Sequence, residues 1–186
     1  MKKFFIIISV PLVLAILMYV FNPFGTATLD PRARILGVVP YVMPSGSMEP
    51  TLKAGEYFLV DATAYMNTIP AINDVIVFKY PENRDIKYVK RVVARGGETV
   101  SMIKGDVIVD GKAIEQPYLD EDKTVISKAN DFGPLPVPAG MLFVLGDYRD
   151  NSRDSRYWGY VPVDDVVGKV TRIWYSEDEE RIGQVN

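Results

Sequence analysis

The 186-residue chain contains no histidine and no cysteine. Without cysteine there is no thiolate nucleophile, no disulfide and no thiolate metal site. Without histidine the commonest general base and the commonest metal ligand are missing too. A hydrolytic serine in this chain therefore has to take its base from a lysine or a carboxylate. Basic excess is lacking as well. The 21 Lys and Arg against 24 Asp and Glu leave a formal charge of −3, which makes nucleic acid a poor partner, since no surplus cation neutralises phosphates. No internal repeat or low-complexity tract is present. The length suits one compact domain with an appendage, and nothing in the composition asks for a cofactor or a metal.

The appendage is the one long apolar run. Residues 4–21, FFIIISVPLVLAILMYVF, hold no charge and at about 1.5 Å per residue would span roughly 27 Å, close to the hydrocarbon thickness of a bilayer. Lys2 and Lys3 precede it, which favours a cytoplasmic start and an exported remainder. A cleaved signal peptide begins in the same way, but the run is longer than the usual apolar region, and only GTA at 25–27 resembles a cleavage site. The expected organisation is a cytoplasmic segment 1–3, a retained transmembrane anchor 4–22, a linker and first strand 23–40, and a β domain 41–186. Pro11 falls within the run, where a membrane helix tolerates it better than a soluble one.

Beyond the linker, short β-branched runs recur between Gly, Pro and Asp turns. They are EYFLVDA at 56–62, DVIVFKY at 74–80, IKYVKRVVA at 86–94, ETVSMI at 98–103, DVIVDGKAI at 106–114, MLFVLGD at 141–147 and VVGKVTRIWY at 166–175. Asp110-Gly111 is a two-residue hairpin signal. No soluble stretch of about ten residues keeps a helical period, so the exported part is expected to be mainly β. Residues 115–140 carry DEDK, SKANDFG and PLPVPAG and read as an excursion on loops, within a small insertion spanning about 104–140.

The sharpest local feature is MPSGSMEPTL at 43–52. Pro44 and Pro50 stiffen the backbone, while Gly46 permits conformations that a Cβ would block. Such a turn can hold the Ser47 Oγ outward with Ser45 beside it. One hydroxyl can then attack a carbonyl while the other, with a backbone N–H, stabilises the oxyanion. An ordinary Pro/Gly/Ser turn, its hydroxyls bonded to nearby backbone, has the same composition. The base decides between the two. IKYVKRVV offers Lys87 and Lys90, which fall on opposite faces of a strand, both apolar in part, so alternation does not choose. A lysine acts as a base only when neutral. Bringing it from about 10.4 to 7 or 8 needs roughly 3 to 4 kcal/mol, which burial among apolar side chains supplies. Activity should accordingly favour alkaline pH.

PSGSMEPTL at 44–52, YVKRVVARGGETV at 88–100 and LGDYRDNSRDSRYWGYVP at 145–162 resemble, in this order, the serine, lysine and aspartate-rich boxes of type I signal peptidases. NDVIVFKYP at 73–81 is similar to the box between the first two. The resemblance implies a signal-peptidase-like β fold, shared with LexA-type repressors, and a membrane-bound serine endopeptidase that removes signal peptides from exported preproteins. It places the nucleophile on Ser47 and the general base on Lys90. Its oxyanion hole falls on the Ser45 hydroxyl and the Ser47 N–H. Ser152, Asp154 and Arg156 fall where the family supports the base and orders the loop. The implied partners are preproteins and the lipid bilayer. The implied location is the bacterial cytoplasmic membrane, with a single pass, a cytoplasmic N-terminus and the catalytic domain on the outer face. Phe24 is expected to dip into the interface.

Two features depart from the family. Tyr148 stands where Asn is usual, and the segment between Lys90 and Gly146 leaves room only for a reduced second domain. The larger members' disulfide cannot form. Family substrates present small residues, typically Ala, at the first and third positions before the cut, and an extended peptide suits addition to a sheet edge. Met48, Tyr41 and the apolar residues before Lys90 are the expected pocket residues. Two other readings fit the same boxes: a dedicated enzyme that matures a conjugation or pilus subunit, and a membrane-tethered factor that binds peptides without cutting them.

Overall fold

The computed structural model describes residues 2–119 and 131–185, with side chains in the first helix from Val10 onward. The DEDK motif and most of SKANDFG lie outside the described residues, as does Met1. Helix α1, Lys2–Phe21, takes up the apolar run. Among the described residues no helix is long and apolar enough to cross a membrane. The side chains described in α1 are those of Val10–Phe21, the last two thirds of the run.

Helix α2, Pro31–Leu36, occupies the expected linker. At six residues it is too short to show a period, yet it carries end signals. Asp30 accepts the Arg32 N–H at 2.9 Å, Pro31 opens the first turn and Gly37 closes the last.

Eleven strands follow: β1 Val38–Val42, β2 Tyr57–Asp61, β3 Val75–Tyr80, β4 Asn83–Arg95, β5 Thr99–Ile103, β6 Asp106–Val109, β7 Lys112–Ala113, β8 Phe132–Pro136, β9 Met141–Leu145, β10 Val161–Pro162 and β11 Val166–Tyr175. One sheet has the order β1-β2-β11-β3-β4-β9-β10 and the other β7-β6-β5-β8. Neighbouring strands are antiparallel in both. A single turn of helix, α3 Ser155–Trp158, sits between β9 and β10.

The mainly β expectation holds, and each strand-like run lies on a strand. Asp110 and Gly111 both take positive φ, 48° and 77°, as a type I′ hairpin turn requires. The difference is β8. Phe132–Pro136 was expected among loops because of its Gly and Pro content, but it pairs with β5 at the edge of the second sheet, where a missing N–H costs no ladder bond.

Three of the four buried clusters among the described residues hold the sheets. Met43, Met48, Leu52, Phe58, Val77 and Ile173 pack beneath the serine turn. Val93, Val100, Met102, Val107, Phe143 and Leu145 join the two sheets, and Ile76, Phe78, Val92 and Leu142 fill the other side of the large sheet. β4 connects all three. Its six residues Val89–Ala94 are all buried, whereas Asn83–Lys87 are exposed.

Candidate active site

The serine turn leaves β1 and returns to β2 through a closed base. The Met43 N–H donates to the Glu56 carbonyl at 2.8 Å, and the Gly55 N–H donates to the Met43 carbonyl at 2.8 Å. Inside, Met48 and Leu52 are fully buried and bridge one another across the turn. Driving both into the core fixes the neighbouring Ser47 at the cleft wall, where it is 8% exposed. Ser45 is exposed, and its hydroxyl lies 3.4 Å from the Ser47 Oγ.

Strand register brings Lys90 to the serine. Lys90 pairs opposite Ile76, and its Nζ lies 2.8 Å from the Ser47 Oγ and 2.9 Å from the Val89 carbonyl. Lys87 is exposed, so burial separates the two lysines that strand alternation left equivalent. Lys90 is 4% exposed and forms no ion pair among the described residues. Burial lowers its pKa from the ordinary 10.5 to about 8, against the pull of Asp154 and Asp147 and with help from Arg156. At this pKa a substantial fraction of the amine is neutral near pH 8, and a neutral Nζ at 2.8 Å can accept the hydroxyl proton.

The aspartate-rich segment wraps behind the lysine. Asp154 is fully buried. It accepts the Gly146 N–H at 3.0 Å, Arg156 Nε at 2.8 Å and Arg156 Nη2 at 2.9 Å, and it caps α3. Arg156 Nη2 also donates to the Arg149 carbonyl at 2.6 Å. Asp154 and Arg156 thereby tie the loop to the end of β9. Ser152 is buried beside Gly146, and its Oγ has no hydrogen-bond partner among the described residues. A Cβ on Gly146 would lie 2.1 Å from the Ser152 Oγ and 2.6 Å from the Ser47 carbonyl, so only glycine lets the three segments meet. The Tyr148 N–H donates to the Ser47 carbonyl at 3.2 Å. That contact is made by backbone, which an Asn would supply equally.

Sequence reasoning missed the pair that holds these parts in register. Arg91, the next residue after the lysine, is 1% exposed. It grips Asp147 through Nε at 2.9 Å and Nη2 at 2.7 Å, and it donates to the Thr51 Oγ1 at 2.9 Å and the Asn73 carbonyl at 2.8 Å. The Thr51 hydroxyl in turn donates to Asp147 at 2.5 Å. The Tyr118 ring lies 3.7 Å from the Arg91 guanidinium. The available signal was a charged residue inside a strand that turns apolar on both faces. Arg149 is also buried, bonded to the Gly146 carbonyl at 3.1 Å and Gln116 at 2.7 Å, and burial lowers its pKa.

An open cleft of about 340 Å³ runs past the serine and lysine, walled by Met43, Pro44, Ser45, Ile86, Tyr88 and Val89. Of the expected pocket residues, the apolar ones before Lys90 line it, and Met48 and Tyr41 do not. Met48 points the opposite way into the core, because it and Leu52 close the turn from inside. Tyr41 stacks on Phe58, with ring centroids 6.1 Å apart, and burial pushes its phenol up to about 12. The apolar wall is supplied by Met43 together with Ile86, Tyr88 and Val89, the apolar residues before Lys90.

A family model described as "Signal peptidase, peptidase S26" matches residues 2–175. The Signal peptidase I of Aquifex aeolicus (strain VF5) is 36% identical over 73% of this chain and 75% of its own length. The Signal peptidase I T of Bacillus subtilis (strain 168) is 36% identical over 76% of each chain. The Signal peptidase I of Pseudomonas fluorescens is 30% identical over 80% of this chain and 68% of its own.

Proposed function

The chain belongs to the peptidase S26 family of signal peptidases, serine endopeptidases, and from that premise we propose that Ser47 and Lys90 are its catalytic dyad. The observation that carries this reading is the 2.8 Å contact between the buried Lys90 Nζ and the Ser47 Oγ, in a chain with no histidine.

The reaction follows from the placement of these groups. Neutral Lys90 takes the Ser47 proton as Oγ attacks the scissile carbonyl. The Ser47 N–H donates to no acceptor among the described residues, and with the Ser45 hydroxyl it faces the oxygen that becomes negative. The resulting Lys90 ammonium returns its proton to the departing amine, leaving an ester on Ser47. Neutral once more, Lys90 activates a water that hydrolyses this ester. Ser152, Asp154 and Arg156 act behind the lysine by fixing the loop that buries it.

The substrate is an extended signal peptide of an exported preprotein. β4 pairs with β3 from Asn83 to Arg91, but β9 reaches only Arg91–Arg95. The outer edge of residues 83–90 is therefore unpaired among the described residues, and it faces Met43–Ser45 across the cleft. A peptide strand laid there would direct alternate side chains at the apolar wall. The apolar run at 4–21 serves as the membrane anchor, holding the cleft near the outer face of the cytoplasmic membrane.

The test is cleavage of a preprotein with an Ala-x-Ala site by the detergent-solubilised chain across about pH 6 to 10. Ser47→Ala and Lys90→Ala are expected to abolish cleavage, and the wild type to rise to half its plateau near pH 8. Cleavage that survives either substitution would remove the dyad assignment.

A further inference from the structure

The C-terminal segment after β11 has no place in the reaction described above, yet it is built into the serine turn. Arg181 Nη2 donates to the Pro50 carbonyl at 3.0 Å, the Thr51 carbonyl at 3.1 Å and Glu56 Oε2 at 3.0 Å, while its Nε bonds Glu56 Oε1. Glu56 is 4% exposed. It also accepts the Lys53 N–H at 2.7 Å and the Ser176 hydroxyl at 2.9 Å, and its carbonyl closes the base of the turn. The segment is held in turn by β11, since the Ile173 N–H donates to the Gln184 carbonyl at 2.9 Å and the Gly183 N–H to the Ile173 carbonyl at 2.8 Å. Val185 then packs on the cluster containing Met48 and Leu52.

We infer that Arg181 is a positioning residue for the serine turn, and that Glu56 and the C-terminal segment are the clamp through which it acts. Thr51 shows how the effect reaches the site. Arg181 holds its carbonyl on one side, while Arg91 and Asp147 hold its hydroxyl on the other. Ser47 sits four residues before Thr51 in the turn, and Lys90 directly precedes Arg91 in β4. A guanidinium that grips two adjacent carbonyls and a carboxylate together thus fixes the separation between nucleophile and base from outside the cleft. This inference rests on the dyad reading.

The test measures kcat and KM for peptide cleavage against pH in full-length Arg181→Ala. The turn, freed from its clamp, uncovers Lys90, whose other charged neighbours Asp147, Asp154 and Arg156 stay in place. The expected result is a tenfold or greater fall in kcat with KM within twofold. The half-rise of activity is expected to move from near pH 8 towards the value of a solvated lysine, and guanidinium ion at tens of millimolar should restore part of kcat. An unchanged kcat and pH midpoint, even with a lowered melting temperature, would overturn the inference and leave the segment a structural prop. Should Arg181→Ala not fold, Arg181→Lys decides, because an ammonium cannot satisfy both carbonyls and the carboxylate in that planar geometry. Lowered kcat with a shifted midpoint supports the clamp, and wild-type kinetics overturn it. Ser47→Ala assayed alongside separates this outcome from failure of the dyad: its residual cleavage would condemn the dyad itself, whatever Arg181 does.

Discussion

Lys90 is kept in a place that costs stability. Its pKa falls from 10.5 unfolded to about 8 folded, so between these values the unfolded chain holds a proton that the native state has released. Stability therefore rises with pH through that window, and below pH 8 the folded protein carries the full penalty of a buried ammonium. A shift of this size is worth roughly 3 kcal/mol. Lys90→Met, of similar shape, is expected to be inactive yet more stable than wild type at pH 7 by up to about that amount, with the gain shrinking as pH approaches 10.5. Urea denaturation at pH 7 and 10 measures it; a Met variant less stable at pH 7 would mean that the lysine's bonds to Ser47 and Val89 outweigh its desolvation. At Gly146 even one methyl group is too much. The nearest atoms to an added Cβ would be the Ser152 Oγ at 2.1 Å and the backbone carbonyl of Ser47 at 2.6 Å. Gly146→Ala should lose about 1 to 3 kcal/mol and most of its activity, read by thermal melting and by cleavage of the same preprotein.

Among the elements, the serine turn, β4 and the loop after β9 come together through one ion pair, Arg91–Asp147, whose side chains are 2% and 1% exposed. Removing one member leaves a buried charge alone, so Arg91→Met is expected to cost about 3 to 5 kcal/mol, whereas Arg91→Met with Asp147→Leu should recover much of that. Denaturation midpoints of the two variants test it, and equal loss in both would place the penalty in packing and not in charge. This pair also marks where the sequence stops being legible. Strands were readable because β-branched runs between turn residues leave few alternatives, whereas the absence of histidine pointed only to a lysine or a carboxylate, and the ordered boxes, not alternation, singled out Ser47 and Lys90. Arg91 was hidden because alternation assigns one of two neighbours to solvent, while β4 passes between two packed layers and buries both. α2 and α3 are too short for a period, and β8 carries the prolines of an edge strand. Met48 is turned inward because it and Leu52 close the serine turn on the core, and Tyr41 because it stacks on Phe58 across β1 and β2; no spacing rule encodes either direction.

The whole molecule joins a helix to a β body through a small number of contacts. Arg34 Nη1 donates to the Tyr19 carbonyl at 3.1 Å and Nε to the Thr28 carbonyl at 3.0 Å, and its guanidinium lies 5.2 Å from the Tyr19 ring. A cation on the last turn of α1 suits the negative end of the helix dipole. None of the three buried clusters beneath the sheets draws on α1. The contact between Ser47 and Lys90 should therefore survive without it. A chain beginning at Asn22 is expected to cleave a short soluble Ala-x-Ala peptide with kcat/KM near that of the full chain. It should lose most of its cleavage of a preprotein embedded in vesicles, where the proposed anchor would raise the local concentration of enzyme. Co-sedimentation with vesicles provides the second reading. Loss of sedimentation assigns membrane attachment to residues 4–21. If the shortened chain still pelleted, attachment would lie on the β body, and the half-exposed aromatics Tyr57, Trp174 and Tyr175, packed edge to face on neighbouring strands, would be the residues to replace, because tyrosine and tryptophan are the side chains that settle at the membrane interface.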